Sequence, residues 1–123
     1  MIKPISEIYI YTNGVLLSRR YITDEGGTPI TQSDISSVTL NIYKLLPNGN
    51  GSYSRTLQNS VSLSVADVIT ETVESDVEGR QYNFRYCIEN VFTTPNTLYL
   101  AEYILTTTDN HTIIVAAKGR TLD

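Results

Sequence analysis

The strongest constraint in this chain is an apolar–polar alternation of period two, interrupted at short intervals by turn signals. From Gln81 to Glu89, Tyr82, Phe84, Tyr86 and Ile88 fall on one side, and Asn83, Arg85, Cys87 and Glu89 on the other. From Ser37 to Leu46, Val38, Leu40 and Ile42 oppose Thr39, Asn41 and Tyr43. A two-residue period puts alternate side chains on opposite faces of a strand, whereas a helix needs a period near 3.6. The interruptions are Thr12-Asn13-Gly14, the stretch Asp24 to Pro29, Pro47-Asn48-Gly49-Asn50-Gly51, Asp76-Val77-Glu78-Gly79 and Thr108-Asp109-Asn110-His111. Gly, Asn and Asp tolerate positive φ, and proline ends strand pairing, so each reads as a turn or loop.

The remaining segments follow the same logic. Ile5 to Tyr11 alternates, with Ile8 and Ile10 opposite Tyr9 and Tyr11, and Val15 to Ile22 is a second strand. Ser52 to Leu57 returns from the proline–glycine turn, and Val61 to Val65 forms a separate weaker segment. Ala66 to Ser75 is ambiguous. Val65, Ile69 and Val73 recur four apart and Asp67 is a possible cap, yet the β-branched content favours a short strand or an irregular connection. Leu98 to Thr107 is apolar on both faces, as a central strand is. Thr112 to Ala117 closes a hairpin with it, and residues 118–123 read as a polar tail. About seven to nine short strands describe an all-β sandwich or small barrel. We read residues 1–123 as a single domain, with 1–22 as an N-terminal arm or edge strands and 23–117 as the core.

A family resemblance sharpens this expectation. Asp76-x-x-Gly79 precedes Asn83-Phe84, a loop containing Phe92 and Pro95 follows, then Leu98-Tyr99-x-x-x-Tyr103 and a final hairpin. Asp24, Gly27, Thr28, Pro29 and Ile30 look like an earlier Asp-x-Gly-x-Pro-Ile step. This order resembles the immunoglobulin-like β-sandwich domains of structural proteins in tailed bacteriophages, with a stretched interval before Asn83. The resemblance implies an immunoglobulin-like antiparallel sandwich located in a virion. It further implies a capsid decoration, neck or tail component, made in the host cytoplasm and present in multiple copies or as a homo-oligomer. Read from their own chemistry, Asp76 and Gly79 are turn residues, Phe84 is core, and Tyr99 is placed for a tyrosine corner.

Chemistry-bearing residues are sparse. The single histidine, His111, lies in a turn, and the single cysteine, Cys87, lies in an alternating strand two residues from Arg85. One His and one Cys do not make a triad or a tetrahedral zinc site. Calcium bound by Asp76 and Glu78 is the weak alternative, and the expectation is no cofactor. Nine scattered basic residues in a chain of net charge −4 do not form a nucleic-acid footprint, nor do they suit an anionic membrane. No segment approaches the ~20 apolar residues of a membrane helix. The Met start without a signal peptide leads to the expectation of a complete cytoplasmic product.

Tyrosine is the distinctive residue, nine in a chain without tryptophan. It combines apolar area with one hydrogen bond and is enriched at interfaces. Tyr9, Tyr11 and Tyr53 are the expected partner-binding residues. The expected function is a non-enzymatic interaction protein that binds a larger coat, portal or tail protein through sheet edges and tyrosine-rich contacts. The alternative is a carbohydrate-binding sandwich module.

Overall fold

The computed structural model describes residues 7–122, so the part of the expected arm before Glu7 lies outside the described residues. Eight strands follow in order: β1 (Glu7–Ile10), β2 (Leu16–Arg20), β3 (Ile35–Pro47), β4 (Tyr53–Leu63), β5 (Ile69–Ser75), β6 (Gln81–Ile88), β7 (Leu98–Thr107) and β8 (Thr112–Thr121). A 3₁₀ turn (Gln32–Asp34) precedes β3, and a single helical turn, α1 (Val65–Val68), precedes β5. The strands form two sheets, β1-β8-β7-β3-β4 and β2-β6-β5, packed face to face as an all-β sandwich. Neighbouring strands are antiparallel except β1 and β8, which run parallel from Glu7–Lys118 to Ile10–Thr121.

The core is made from the inward positions of both sheets. Val38, Leu40 and Ile42 of β3, Tyr99, Ala101, Tyr103 and Leu105 of β7, and Phe84 and Ile88 of β6 are all buried. The aromatic rings meet edge to face, Phe84 on Tyr103 at 4.8 Å and Phe92 on Tyr99 at 5.0 Å between centroids. This geometry sets the positive edge of one ring against the negative face of the other. The Tyr99 hydroxyl accepts a hydrogen bond from the Thr94 backbone N–H at 3.1 Å, fastening the loop that feeds β7.

One turn design recurs. At Asp24–Thr28 and Asp76–Arg80 the first residue's backbone N–H donates to the carbonyl four residues on, at 2.9 Å in both. In each turn the aspartate Oδ1 accepts N–H bonds from the third and fifth residues, all at 2.9 Å. The fourth residue is Gly27 or Gly79, at φ +84° and +81°. A glycine there removes the Cβ clash that positive φ imposes on other residues. Thr107–His111 repeats the closure with the Thr107 hydroxyl in place of the carboxylate and Asn110 at φ 66°.

Three stretches differ from the sequence reading. Ser52–Leu57 and Val61–Val65 are not separate strands: β4 runs unbroken from Tyr53 to Leu63. Its pairing with β3 slips between Ile42 and Tyr43, where Gln58 is the extra residue, and this bulge breaks the alternation. Within 65–75, α1 is followed by β5, so Asp67 sits inside the helical turn rather than capping it. Residues 118–121 are not a tail but the end of β8. Thr121 is wholly buried there, its Oγ1 donating to the Thr94 carbonyl at 2.6 Å and accepting the Thr97 N–H at 2.9 Å.

Candidate functional site

The five-stranded sheet is wider than the three-stranded sheet that covers it, and its outer face has no covering layer among the described residues. Paired residues in adjacent strands share a face. The register therefore lays out the outer face in rows. One row runs Tyr9–Arg120–Leu98–Leu45–Arg55 from β1 to β4. The next contains Lys118, Leu100, Tyr43 and Leu57. Leu45, Leu98 and Leu100 are buried in a small second cluster on this face, packed with Tyr43 and Ala116. Arg55 lies over the Tyr43 ring at 4.9 Å and reaches Glu102 at 3.7 Å. The face thus carries an apolar strip crossed by an arginine.

Two groups of exposed tyrosines lie at the two edges of that face, while Tyr21 is exposed just after β2 of the other sheet. Ile10 is buried, which turns Tyr9 outward, and Tyr9 and the following Tyr11 are 66% and 76% exposed. Tyr53 opens β4 beside Pro47 and is 45% exposed. Four strand spacings of ~4.8 Å separate the β1 edge from the β4 edge, about 19 Å in all. Tyr9 and Tyr53 therefore do not form one platform.

The other residues singled out by sequence fall in separate places. Asp76 and Gly79 form the β5–β6 turn. The Arg80 N–H holds the Asp76 carboxyl below its ordinary pKa, with the Glu78 N–H and the Arg80 and Arg19 charges acting in the same direction against partial desolvation. With Asp76 bonded to the backbone and Glu78 ion-paired to Arg80, these groups close a turn. Phe84 and Tyr99 are core. His111 is exposed with Nδ1 3.1 Å from Asp109. Cys87 is half-buried in β6, opposite Leu17.

An open depression of about 630 Å³ lies at one end of the sandwich, between the Thr23–Gly26 and Thr107–His111 loops. Asp24, Asp34, Asp109 and His111 line it. Their carboxylates are engaged locally: Asp24 by the Gly26 and Thr28 N–H groups, Asp34 by Thr31, and Asp109 by Thr107 and His111. No three metal-ligating side chains converge among the described residues.

Sequence reasoning missed Asn83. Alternation places it on the polar side of β6, yet it is 1% exposed. Its Oδ1 accepts the Ile22 N–H at 2.8 Å, and its Nδ2 donates to the carbonyls of Ile22 at 2.7 Å and Ile30 at 3.0 Å. The amide clamps both ends of the loop that crosses from the small sheet to the large one. No protein-family model matches this chain, and comparison with curated proteins and with solved structures likewise returns no match.

Proposed function

We propose that the protein is a non-enzymatic structural and interaction protein, an accessory component of a tailed-phage virion. In this reading it decorates a capsid or forms part of a neck or tail, binding a larger coat, portal or tail protein. The observation that carries the reading is the exposed pair Tyr9 and Tyr11 at the β1 edge of the large sheet. An edge strand offers backbone groups to an incoming strand, and tyrosines beside it supply apolar contact and hydrogen bonds. Supporting it, the order β8-β7-β3-β4 over β2-β6-β5 corresponds to the G-F-C-C′ and B-E-D order of variable-type immunoglobulin sandwiches. Tyr99, near the start of the F-equivalent strand and bonded to upstream backbone, matches their tyrosine corner.

The test replaces Tyr9 and Tyr11 together with serine and follows incorporation into purified phage particles. The expected result is a variant with wild-type thermal unfolding that is missing from particles containing the wild-type protein. Incorporation at the wild-type level refutes the tyrosine contact, and absence of the wild-type protein from particles refutes the virion reading.

A further inference from the structure

The β4 edge has a property that the β1 edge lacks. β4 is eleven residues long, against four described residues in β1, and pairs only with β3 among the described residues. Ten of its eleven residues are exposed, because the strand overhangs the smaller sheet. Edge strands of soluble proteins are commonly blunted by lysine, proline, inward-pointing charge or a bulge. Of these β4 has only the bulge at Gln58, and its single charge, Arg55, is drawn onto its own sheet by Tyr43 and Glu102. Leu57 and Val61 are each about half exposed.

The bulge makes this edge complementary to itself. Register with β3 puts Arg55, Leu57, Ser60 and Ser62 on the outer face. It puts Ser54, Thr56, Asn59, Val61 and Leu63 on the inner face. Gln58, the extra residue, is where the alternation changes phase. If two β4 edges pair antiparallel about a two-fold axis between Gln58 and Asn59, Leu57 meets Ser60, Arg55 meets Ser62, Thr56 meets Val61 and Ser54 meets Leu63. Each of these four pairs joins like face to like face on either side of the bulge. An axis passing through a residue instead sets outer against inner positions across the bulge.

The charge distribution selects the same occupant. The chain carries net −4, yet no acidic residue occurs between Asp34 and Asp67. The two cations in that interval are engaged internally, Lys44 with Thr94 and Arg55 with Glu102. Two copies of an acidic protein therefore meet with least repulsion at β4, and in this register each Arg55 faces a serine rather than its own counterpart. We propose that β4 is a self-association edge, joining two copies through a continuous ten-stranded sheet. The inference does not depend on the virion reading, since it concerns the purified protein alone.

The test is sedimentation equilibrium of the wild-type chain and two single variants up to about 100 μM, a range that detects micromolar association. Wild type is expected to dimerise with concentration. Ser62→Glu, placed opposite Arg55 of the other copy, is expected to tighten the dimer about fivefold, since the pair occurs twice. Ser62→Lys is expected to weaken it by a similar factor. The two substitutions act in opposite directions, so a shared folding defect does not reproduce the pattern, and thermal unfolding followed by circular dichroism checks each variant. A wild-type chain that stays monomeric throughout, or variants that shift association equally or not at all, overturns the proposal.

Discussion

Replacing Asn83 by alanine tests how the loop between β2 and β3 is held. The substitution removes one acceptor and two donors from a site that is 1% exposed. The Ile30 carbonyl loses its donor in a buried setting, which costs about 1–3 kcal/mol. The Ile22 N–H loses its acceptor in a part-buried setting, worth about 1 kcal/mol. The Ile22 carbonyl loses less, because the Ile30 N–H still donates to it at 3.0 Å. The total is about 3 kcal/mol. With 123 residues at ~2.1 cal/mol/K each, the unfolding entropy is about 0.26 kcal/mol/K, so the variant should melt about 12 °C below wild type. Calorimetry measures that shift, and amide exchange at Ile22 shows whether the loss begins in the loop. A drop of less than about 4 °C, or unchanged exchange at Ile22, refutes the clamp.

Two phenols give predictions of opposite sign. Tyr99→Phe removes the acceptor of the Thr94 N–H and should cost about 1 kcal/mol, whereas Tyr103→Phe should be neutral or stabilising. The Tyr103 hydroxyl is buried without a hydrogen-bond partner of good geometry, and burial raises its pKa far above the ordinary phenol value against a smaller opposing pull from Ser18. Chemical denaturation measures both, and a destabilised Tyr103→Phe would show that its hydroxyl has a partner. Asp76 titrates below its ordinary value of 3.8 when folded, so its charge contributes stability above that pH and loses it as pH falls through the folded value. Asp76→Asn keeps an acceptor oxygen but not the charge. The melting-temperature gap between variant and wild type should therefore be full near neutrality and close in acid, and a gap independent of pH refutes the assignment.

Most of the architecture was legible because strand alternation is a local property. Ile10, Val38, Leu40, Ile42 and Phe84 declare their inward faces through their neighbours, and the exposure of Tyr9 and Tyr11 follows from the burial of Ile10. The turns at Asp24, Asp76 and Thr107 were legible because positive φ restricts residue choice. What alternation hid were positions governed by contacts distant in sequence. Asn83 reads as a solvent-facing amide until the Ile22–Ile30 loop folds over it. β4 reads as two segments because the bulge at Gln58 changes its phase. The end of β8 reads as a tail because Lys118 and Arg120 mask a strand whose buried residues are Gly119 and Thr121, the latter satisfied by backbone groups of 94 and 97. The candidate contact residues were legible as exposed tyrosines, but their separation on opposite edges depends on strand order, which no local pattern carries.

The parallel pairing of β1 with β8 has a mechanical consequence. Glu7 begins beside Lys118, and Ile10 ends beside Thr121, so the first and last strands point the same way. A pull between the two ends of the described chain acts along both strands in opposite directions. The register pairs are then loaded in shear together, and the Leu122 N–H to Ile10 carbonyl bond at 2.8 Å extends that row by one more link. Had β1 run antiparallel to β8, the same pull would open the pair one link at a time. The sandwich is thus joined at its ends as a lap joint, and force along the chain must slide the whole overlap before it reaches the core.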